Sequence, residues 1–142
     1  MSGSGVKFLY VPVSDLDAMR HFYTELVGLD EIYFAADEAL AYDCDGLQFT
    51  MLFDPNPPAV PEGWATQPGW RGATVAAMSW SIELTEAGFR GAVSRSAEAG
   101  VIALHDVPQW VGYWSYPVKD PMGYTAEITW PDEDVHATNW VD

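Results

Sequence analysis

The chain has 142 residues, of which 49% are apolar, so it is long enough for one domain with a sizeable core and too apolar for a disordered chain. Its 21 acidic and 6 basic residues give a net charge of −15, which excludes nucleic-acid binding because that needs a basic surface. No apolar run approaches the roughly 18 to 20 residues of a membrane span. The opening MSGSG lacks the blocks of a signal peptide, and the single Cys44 cannot form an internal disulfide, so we expect a cytoplasmic protein.

The first half of the chain predicts a strand, a helix and three further strands, which together form a first module over residues 6–53. Ser14 and Asp17 have capping-box spacing at the start of the helix, and Gly28 is a natural stop. A hairpin turn at Asp45-Gly46 joins the last two strands. The predicted elements are a strand at 6–13, a helix at 14–28, and strands at 29–35, 38–44 and 47–53.

Residues 54–72, DPNPPAVPEGWATQPGWRG, are rich in Pro and Gly and show no periodicity, which predicts a linker. Trp64 and Trp70 would leave large apolar surfaces in water if this segment were extended. We therefore expect it to pack back on the body of the protein or on a partner chain.

The second half repeats the order of the first in a module over residues 73–130, and an acidic tail follows at 131–142. A glycine precedes the last strand in each half, at Gly46 and Gly123. Because each helix is followed by three strands rather than one, an internal duplication fits better than a doubly wound sheet. The predicted elements are a strand at 75–84, a helix at 85–100, and strands at 101–105, 111–118 and 123–130.

Four of the predicted strands, the first and last of each module, have a strongly apolar face and a mixed face, because strand residues alternate. In the last strand, Ile128 and Trp130 are on the face opposite to Glu127. The mixed faces carry aromatic rings rather than charges, which favours a pocket over a solvent-facing surface. The residues predicted to lie on the pocket face are Phe8, Tyr10, Gln48, Thr50, Ser79, Ser81, Thr125, Glu127 and Thr129.

The Asp-Pro-Met-Gly sequence at residues 120–123 predicts a tight turn between the last two strands. If Lys119 pairs with Tyr124, then Tyr116 lies opposite Glu127 and enters the pocket. A slip of one residue would reverse this arrangement. The remaining aromatic residues predicted at the pocket are Trp114, opposite Thr129, and Trp110, at the rim.

Two segments, VPVSDLDAMRHFYTELVGL (11–29) and DPMGYTAEI (120–128), resemble the opening and closing segments of vicinal oxygen chelate proteins. This superfamily contains glyoxalases, bleomycin-resistance proteins and extradiol dioxygenases, and the resemblance covers about residues 6–130. It implies an α+β fold in which two βαβββ modules form curved mixed sheets around a cleft, with the helices on the outer faces. It also implies a divalent metal that His, Gln or Glu side chains hold in the cleft, where the metal polarises oxygens of the substrate.

Carried over residue by residue, the ligand positions of the family fall on Phe8, on Thr50 or Gln48, on Ser79 and on Glu127. Glu127 matches the family pattern, whereas Phe8 cannot ligate and Ser79 is a poor ligand. A divalent ion needs about three protein ligands, so we expect no metal cofactor. A site that did hold a metal would use Glu127 and Gln48. No two histidines have the sequence spacing of a joint metal site; the three are His21, His105 and His136.

Two classes of function follow from these observations. The first is a metal-independent protein that binds a small, planar or cationic, antibiotic-like molecule and pairs as a homodimer, as the resemblance implies for the resistance branch. Aromatic rings would stack on the ligand and Glu127 would pair with its charge. The alternative is a lyase, isomerase or dioxygenase that uses Glu127 as a base or a metal ligand. The sequence does not identify the ligand, and Trp64 and Trp70 are candidates for the dimer interface.

Overall fold

The computed structural model describes residues 4–70, 73–133 and 139–142. The chain forms two compact units, one up to residue 59 and one from residue 60 onward. Each unit contains a four-stranded mixed sheet and one helical segment. The predicted α+β class with its repeated βαβββ order is therefore confirmed. No helix in the described ranges is long and apolar enough to cross a membrane.

The first unit contains β1 (Phe8–Val13), α1 (Leu16–Arg20), a π-helical segment (His21–Val27) that continues α1, β2 (Asp30–Ala35), β3 (Ala39–Cys44) and β4 (Leu47–Phe53). Its sheet has the order β1-β4-β3-β2, in which only the β1-β4 pair is parallel. The helical segment packs on one face of this sheet, where the ring of Tyr23 meets Phe49 at 5.6 Å and Tyr42 at 6.1 Å. This face forms the core of the unit.

The helical segment begins and ends at residues whose chemistry suits those positions. Asp15, rather than Ser14, is the N-terminal cap, because its Oδ1 accepts a hydrogen bond from the amide of Ala18 at 3.0 Å. The predicted capping box is therefore wrong. The stop at Gly28 is confirmed: Gly28 has a φ of 92° and donates its amide to the carbonyl of Tyr23 at 3.1 Å.

The second unit contains β5 (Ser79–Glu83), α2 (Glu86–Glu98), β6 (Gln109–Trp110), β7 (Trp114–Lys119) and β8 (Thr125–Trp130). Its sheet order, β5-β8-β7-β6, repeats the topology of the first unit. Thr85 caps α2 by accepting a hydrogen bond from the amide of Gly88 at 3.2 Å. Phe89 and Ala92 of α2 are fully buried, and the ring of Phe89 packs 6.2 Å from that of Trp130 on β8. One face of this sheet is thus covered by α2.

The predicted strand at 101–105 is wrong. Only two backbone hydrogen bonds join this segment to β7, from Lys119 to Ile102 at 2.9 Å and from Leu104 to Pro117 at 3.0 Å. Bends at residues 104–107 then interrupt the ladder, and the edge of the sheet resumes as the two-residue β6. The apolar run therefore lies beside β7 without becoming a regular strand.

The turn between β7 and β8 is one residue tighter than predicted. The amide of Asp120 donates to the carbonyl of Tyr124 at 3.0 Å, and the amide of Gly123 donates to the carbonyl of Asp120 at 2.9 Å. This leaves a three-residue loop in which Gly123 takes a φ of 92°, and Lys119 pairs with Thr125. The predicted pairing of Lys119 with Tyr124 is therefore wrong by one residue.

Because side chains alternate along a strand, this single shift turns every side chain of β7 to the opposite face. Trp114 lies opposite Trp130, and Tyr116 lies opposite Ile128, on the face that α2 covers. The side chains on the Glu127 face are instead those of Ser115 and Pro117. The register thus replaces two predicted aromatic pocket residues with a serine and a proline.

Candidate functional site

Glu127 lies on the sheet face that α2 does not cover in the second unit. It sits on β8 between Ser81 of β5 and Pro117 of β7. The side chain belongs to the fully buried set, with 0% exposure. A carboxylate that has left water needs hydrogen-bond partners within the protein, so its surroundings determine what it can do.

Four side chains among the described residues donate hydrogen bonds to Glu127. Ser81 donates to Oε1 and Ser115 donates to Oε2. The hydroxyl of Tyr113 donates to Oε2 at 2.9 Å, and the indole Nε1 of Trp70 donates to the same oxygen at 3.1 Å. All four donors are neutral, and no cationic group in the described ranges joins them.

Tyr113 connects the carboxylate to the segment before the second module. Its hydroxyl donates to Glu127 and accepts a hydrogen bond from the amide of Gly69 at 3.0 Å. Burial, helped by the hydrogen bond to Glu127 and its charge, raises the pKa of Tyr113 to about 12. The phenol therefore keeps its proton near neutral pH and remains a donor to Glu127.

Residues 67–70, Gln-Pro-Gly-Trp, form a turn that lies over this face, which we call the QPGW turn. The amide of Trp70 donates to the carbonyl of Gln67 at 3.1 Å, and Ser81 donates to Oε1 of Gln67 at 3.2 Å. A Cβ atom at Gly69 would lie 2.6 Å from Cγ2 of Val111 and 3.0 Å from the oxygen of Tyr113. Glycine is thus required for the close approach, and this part of the predicted linker packs on the second unit.

The indole of Trp70 completes the set of groups around Glu127. Besides its hydrogen bond to the carboxylate, Nε1 donates to Oγ of Ser115 at 2.8 Å. The ring also stacks on the imidazole of His105, with centroids 5.0 Å apart and planes inclined by 22°. The edge of the Trp70 ring is therefore fixed by hydrogen bonds and its face by stacking, as in the binding of an aromatic ligand.

Two spaces border the QPGW turn. An open pocket of about 430 Å³ is lined by Pro68, Ser81, Glu83, Gly112, Tyr113, Thr129 and Pro131. A small cavity of about 40 Å³ is lined by Trp64, Ala65, Gln67, Trp70, Ala73, Leu104, Pro117 and Thr125. Gln67 is only 4% exposed, and its Nε2 has no hydrogen-bond partner in the described part of the chain.

Several predicted site residues of the second unit lie on the same face as Glu127. Ser79 donates to the carbonyl of Thr66 at 3.0 Å, so it helps to hold the linker in place. Thr125 accepts a hydrogen bond from the amide of Ala65 at 3.1 Å. Thr129 donates to the carbonyl of Ile82 at 3.1 Å and also lines the open pocket. Their roles as ligand-binding residues stay predictions.

The predicted placement of three aromatic residues at the pocket is wrong. Trp114 and Tyr116 are 3% and 2% exposed and lie on the face covered by α2, for the reason of register given above. Trp110 pairs with Trp114, and their rings meet edge to face at 5.5 Å on that same face. None of the three lies beside Glu127.

The predicted residues of the first unit share the sheet face away from its helical segment. Phe8 pairs with Gln48 and Tyr10 pairs with Thr50, as their alternation predicts. The rings of Phe8 and Tyr10 stack 6.2 Å apart, and each residue is 53% exposed. The side-chain amide of Gln48 donates to Thr50 at 3.0 Å. The first unit therefore presents two exposed aromatic rings.

The donor set does not fit a divalent metal. Phe8 offers no lone pair, Ser79 is engaged with a carbonyl, and both oxygens of Glu127 accept hydrogen bonds. No group of three His, Cys, Asp or Glu side chains in the described ranges could hold an ion. Among the histidines, His21 is exposed and pairs with Glu25 at 2.9 Å, whereas His136 lies outside the described residues. A metal is therefore not part of the chemistry that we derive.

Sequence reasoning missed four residues of this site: Gln67, Trp70, Tyr113 and Ser115. Ser115 would have followed from a three-residue loop at residues 121–123, since a glycine three residues after an aspartate also suits that loop. Trp70 and Gln67 lie in a segment without periodicity, where no pattern indicates which sheet a side chain meets. They could be found only from the folded chain.

No protein-family model matches this sequence, and no curated protein matches it either. Solved structures do match. A glyoxalase/dioxygenase from Nostoc punctiforme is 20% identical with a TM-score of 0.66, over 89% of this chain and 90% of that one. A lactoylglutathione lyase from Agrobacterium tumefaciens is 20% identical with a TM-score of 0.60, over 92% and 96%. The fosfomycin resistance protein FosX from Mesorhizobium loti is 14% identical with a TM-score of 0.58, over 91% and 92%.

These similarities, over most of each chain, establish the fold. The protein has the vicinal oxygen chelate fold, which confirms the resemblance seen in the sequence. At this level of identity the fold is all that they show, so activity has to be argued from the site.

Proposed function

We propose that the protein is a metal-independent binding protein for a small, planar, cationic molecule of antibiotic-like size. Its ligand site is the open pocket beside Glu127 in the second unit. One observation carries the proposal: Glu127 is wholly buried at a site that supplies only neutral donors among the described residues. A ligand cation would add the opposite charge that this carboxylate lacks.

The pocket has the size and chemistry that such a ligand needs. Its volume of about 430 Å³ falls within the range of roughly 300–1,000 Å³ found for small-molecule sites. Its lining includes one acid, Glu83, and one aromatic ring, Tyr113, and no basic residue among those described. Ser81 and Tyr113 both line the pocket and donate to Glu127, so a ligand contacts the groups that hold the carboxylate.

The net charge of −15 supports the same ligand class, because it draws cations toward the protein over distances of about a Debye length. The superfamily fold is compatible with both binding and catalysis. Catalysis by Glu127 as a base stays the alternative, but it requires a substrate proton within hydrogen-bond reach of oxygens that already accept four donors.

The test is a thermal-shift screen of chelator-treated protein with proflavine, benzamidine and 2-aminobenzimidazole. We expect at least one cation to raise Tm by the same amount before and after chelator treatment. Glu83→Gln and Glu127→Gln should each abolish or strongly reduce the shift. Glu98→Gln, an exposed acid on α2, removes the same charge away from the pocket and should leave the shift intact.

Two results would contradict the proposal. One is a stoichiometric divalent ion in protein purified without chelator, with ligand binding that depends on it. The other is a Tm shift that both glutamine variants retain, since binding would then take place away from this pocket. Glu83 is exposed, so its variant is expected to fold even if the Glu127 variant is unstable. The predicted homodimer is a separate matter that light scattering would decide.

A further inference from the structure

The position of Trp70 points to the chemistry of the ligand. A tryptophan in a loop ordinarily buries its ring among apolar side chains. Here the indole lies with its N–H on a carboxylate and its face on the imidazole of His105, 5.0 Å away. A bound aromatic heterocycle would make the same two contacts, but here the chain itself provides the ring.

The segment that carries Trp70 is tied down by polar contacts that a ligand can replace. Gly69 donates to the Tyr113 hydroxyl at 3.0 Å, and Gln67 accepts from Ser81 at 3.2 Å. Ser81 and Tyr113 also donate hydrogen bonds to Glu127, so each keeps that hydrogen bond when the QPGW turn moves away.

With the QPGW turn packed over Glu127, the hydrogen bonding of the turn's own side chains is incomplete. Nε2 of Gln67 is buried and has no partner in the described part of the chain, and a cavity of about 40 Å³ lies next to it. Burying an unpaired amide is unfavourable, so this arrangement is less stable than a fully bonded one would be. Pro68 lines the open pocket whereas Gln67 and Trp70 line the cavity, so the QPGW turn is the wall between the two spaces.

We propose that the indole of Trp70 is an internal occupant of the Glu127 end of the ligand site, and that a flat aromatic cation bearing an N–H group replaces it on Glu127, reaching the carboxylate from the open pocket on the other side of the QPGW turn. This inference rests on the proposed function and names the ligand class more closely. A cationic N–H adds the attraction between opposite charges to its hydrogen bond with a carboxylate, which the uncharged indole N–H does not have. A cationic N–H therefore outcompetes the neutral indole for the same carboxylate, whereas a neutral or N-alkylated ring does not.

The first experiment measures the Kd of 2-aminobenzimidazole by calorimetry for three proteins. Trp70→Phe keeps a ring in the turn and removes the N–H that competes for Glu127. We expect it to bind about three- to tenfold tighter than wild type, because the N–H group that competes with the ligand for Glu127 is gone. Trp110→Phe is the matched control, because the ring of Trp110 packs on Trp114 on the opposite face of the sheet, and it should bind like wild type.

The second experiment fills the site with a neutral probe. Trp70→Gly removes the internal occupant, so indole added in solution should bind this variant and raise its Tm. 1-Methylindole has nearly the same shape but no N–H, and it should bind much more weakly. Equal binding of the two probes, or no binding of indole, overturns the inference. If Trp70→Gly does not fold, the phenylalanine variant still decides it.

The two proposals can fail separately. If wild type binds 2-aminobenzimidazole and the Trp70→Phe variant has the same Kd, the proposed function stands and the internal-occupant inference is overturned. Suppose instead that wild type binds no cation, while Trp70→Gly binds indole and rejects 1-methylindole. The proposed function then fails, but the inference that Glu127 accepts a hydrogen bond from an aromatic N–H group is supported.

Discussion

The close packing of the QPGW turn at Gly69 yields a prediction that can be worked out from distances. A methyl group at residue 69 would lie 2.6 Å from Cγ2 of Val111, which is closer than two carbon atoms pack in proteins, and 3.0 Å from the Tyr113 oxygen, which is a tight contact. Gly69→Ala must therefore push the turn outward. Overpacking of this kind costs about 1–3 kcal/mol, and the stiffer unfolded chain of alanine offsets about 0.4–1 kcal/mol.

The net loss of unfolding free energy is about 0–2.6 kcal/mol. The middle of this range, about 1.3 kcal/mol, corresponds to a fall in Tm of about 4 °C for a chain of this length. Calorimetry measures that fall. Tryptophan emission should move to longer wavelength as the indole of Trp70 becomes wetter. In the ligand assay, Gly69→Ala should bind 2-aminobenzimidazole more tightly than wild type, because the internal occupant is weakened.

Gly5→Ala provides the matched control, because a Cβ there meets nothing within 4 Å. Its Tm and emission should equal those of wild type. A Gly69→Ala protein with unchanged Tm and unchanged emission would refute the reasoning, since the turn could not then lie against Val111 and Tyr113 as described.

Three further predictions concern the sheet and its covering groups. Asp120→Ala removes the acceptor of two backbone amides at 2.9 and 3.0 Å, and should lower the unfolding free energy by about 2 kcal/mol in urea titrations, whereas Asp120→Asn keeps an acceptor oxygen and should lose less. The folded pKa of Tyr113 is about 12, above its ordinary value, so the stability that it contributes is complete below about pH 10 and is lost as the pH rises toward 12. Between about pH 10 and pH 12, the Tm of Tyr113→Phe should therefore fall less than the Tm of wild type. An equal fall in the two proteins would contradict this prediction. Trp140→Ala removes a ring packed edge to face against Phe89 at 5.5 Å and Trp114 at 5.2 Å, and should cost about 2 kcal/mol in the same urea assay.

Some features of the fold follow from local patterns, and sequence reasoning reached them. The bounds of β4 match the predicted strand at residues 47–53, because Leu-Gln-Phe-Thr-Met alternates cleanly after a turn with glycine at φ 91°. The helix stop at Gly28 depends only on neighbouring residues. The repeated order of strand, helix and three strands follows from the same local signals.

The register between β7 and β8 was not determined by local pattern alone. A loop of three or four residues suits the sequence at 120–123 about equally, and only the hydrogen bonds of Asp120 select the shorter one. That choice sets Ser115 on the Glu127 face and moves Trp114 and Tyr116 to the other. An error of one residue in a turn thus exchanges the whole lining of a site.

By itself, the sequence determined that the side chains of Glu127 and Ile128 lie on opposite faces of their strand, and it predicts that Glu127 lacks the partners of a metal site. These are properties of alternation and of side-chain chemistry, which are written residue by residue. Only the tertiary structure decided what surrounds Glu127. Trp70 is 57 residues away along the chain, and its hydrogen bond to the carboxylate exists because a non-periodic segment folds over the second sheet. Such a contact depends on the shapes of two distant surfaces, and no local pattern encodes it.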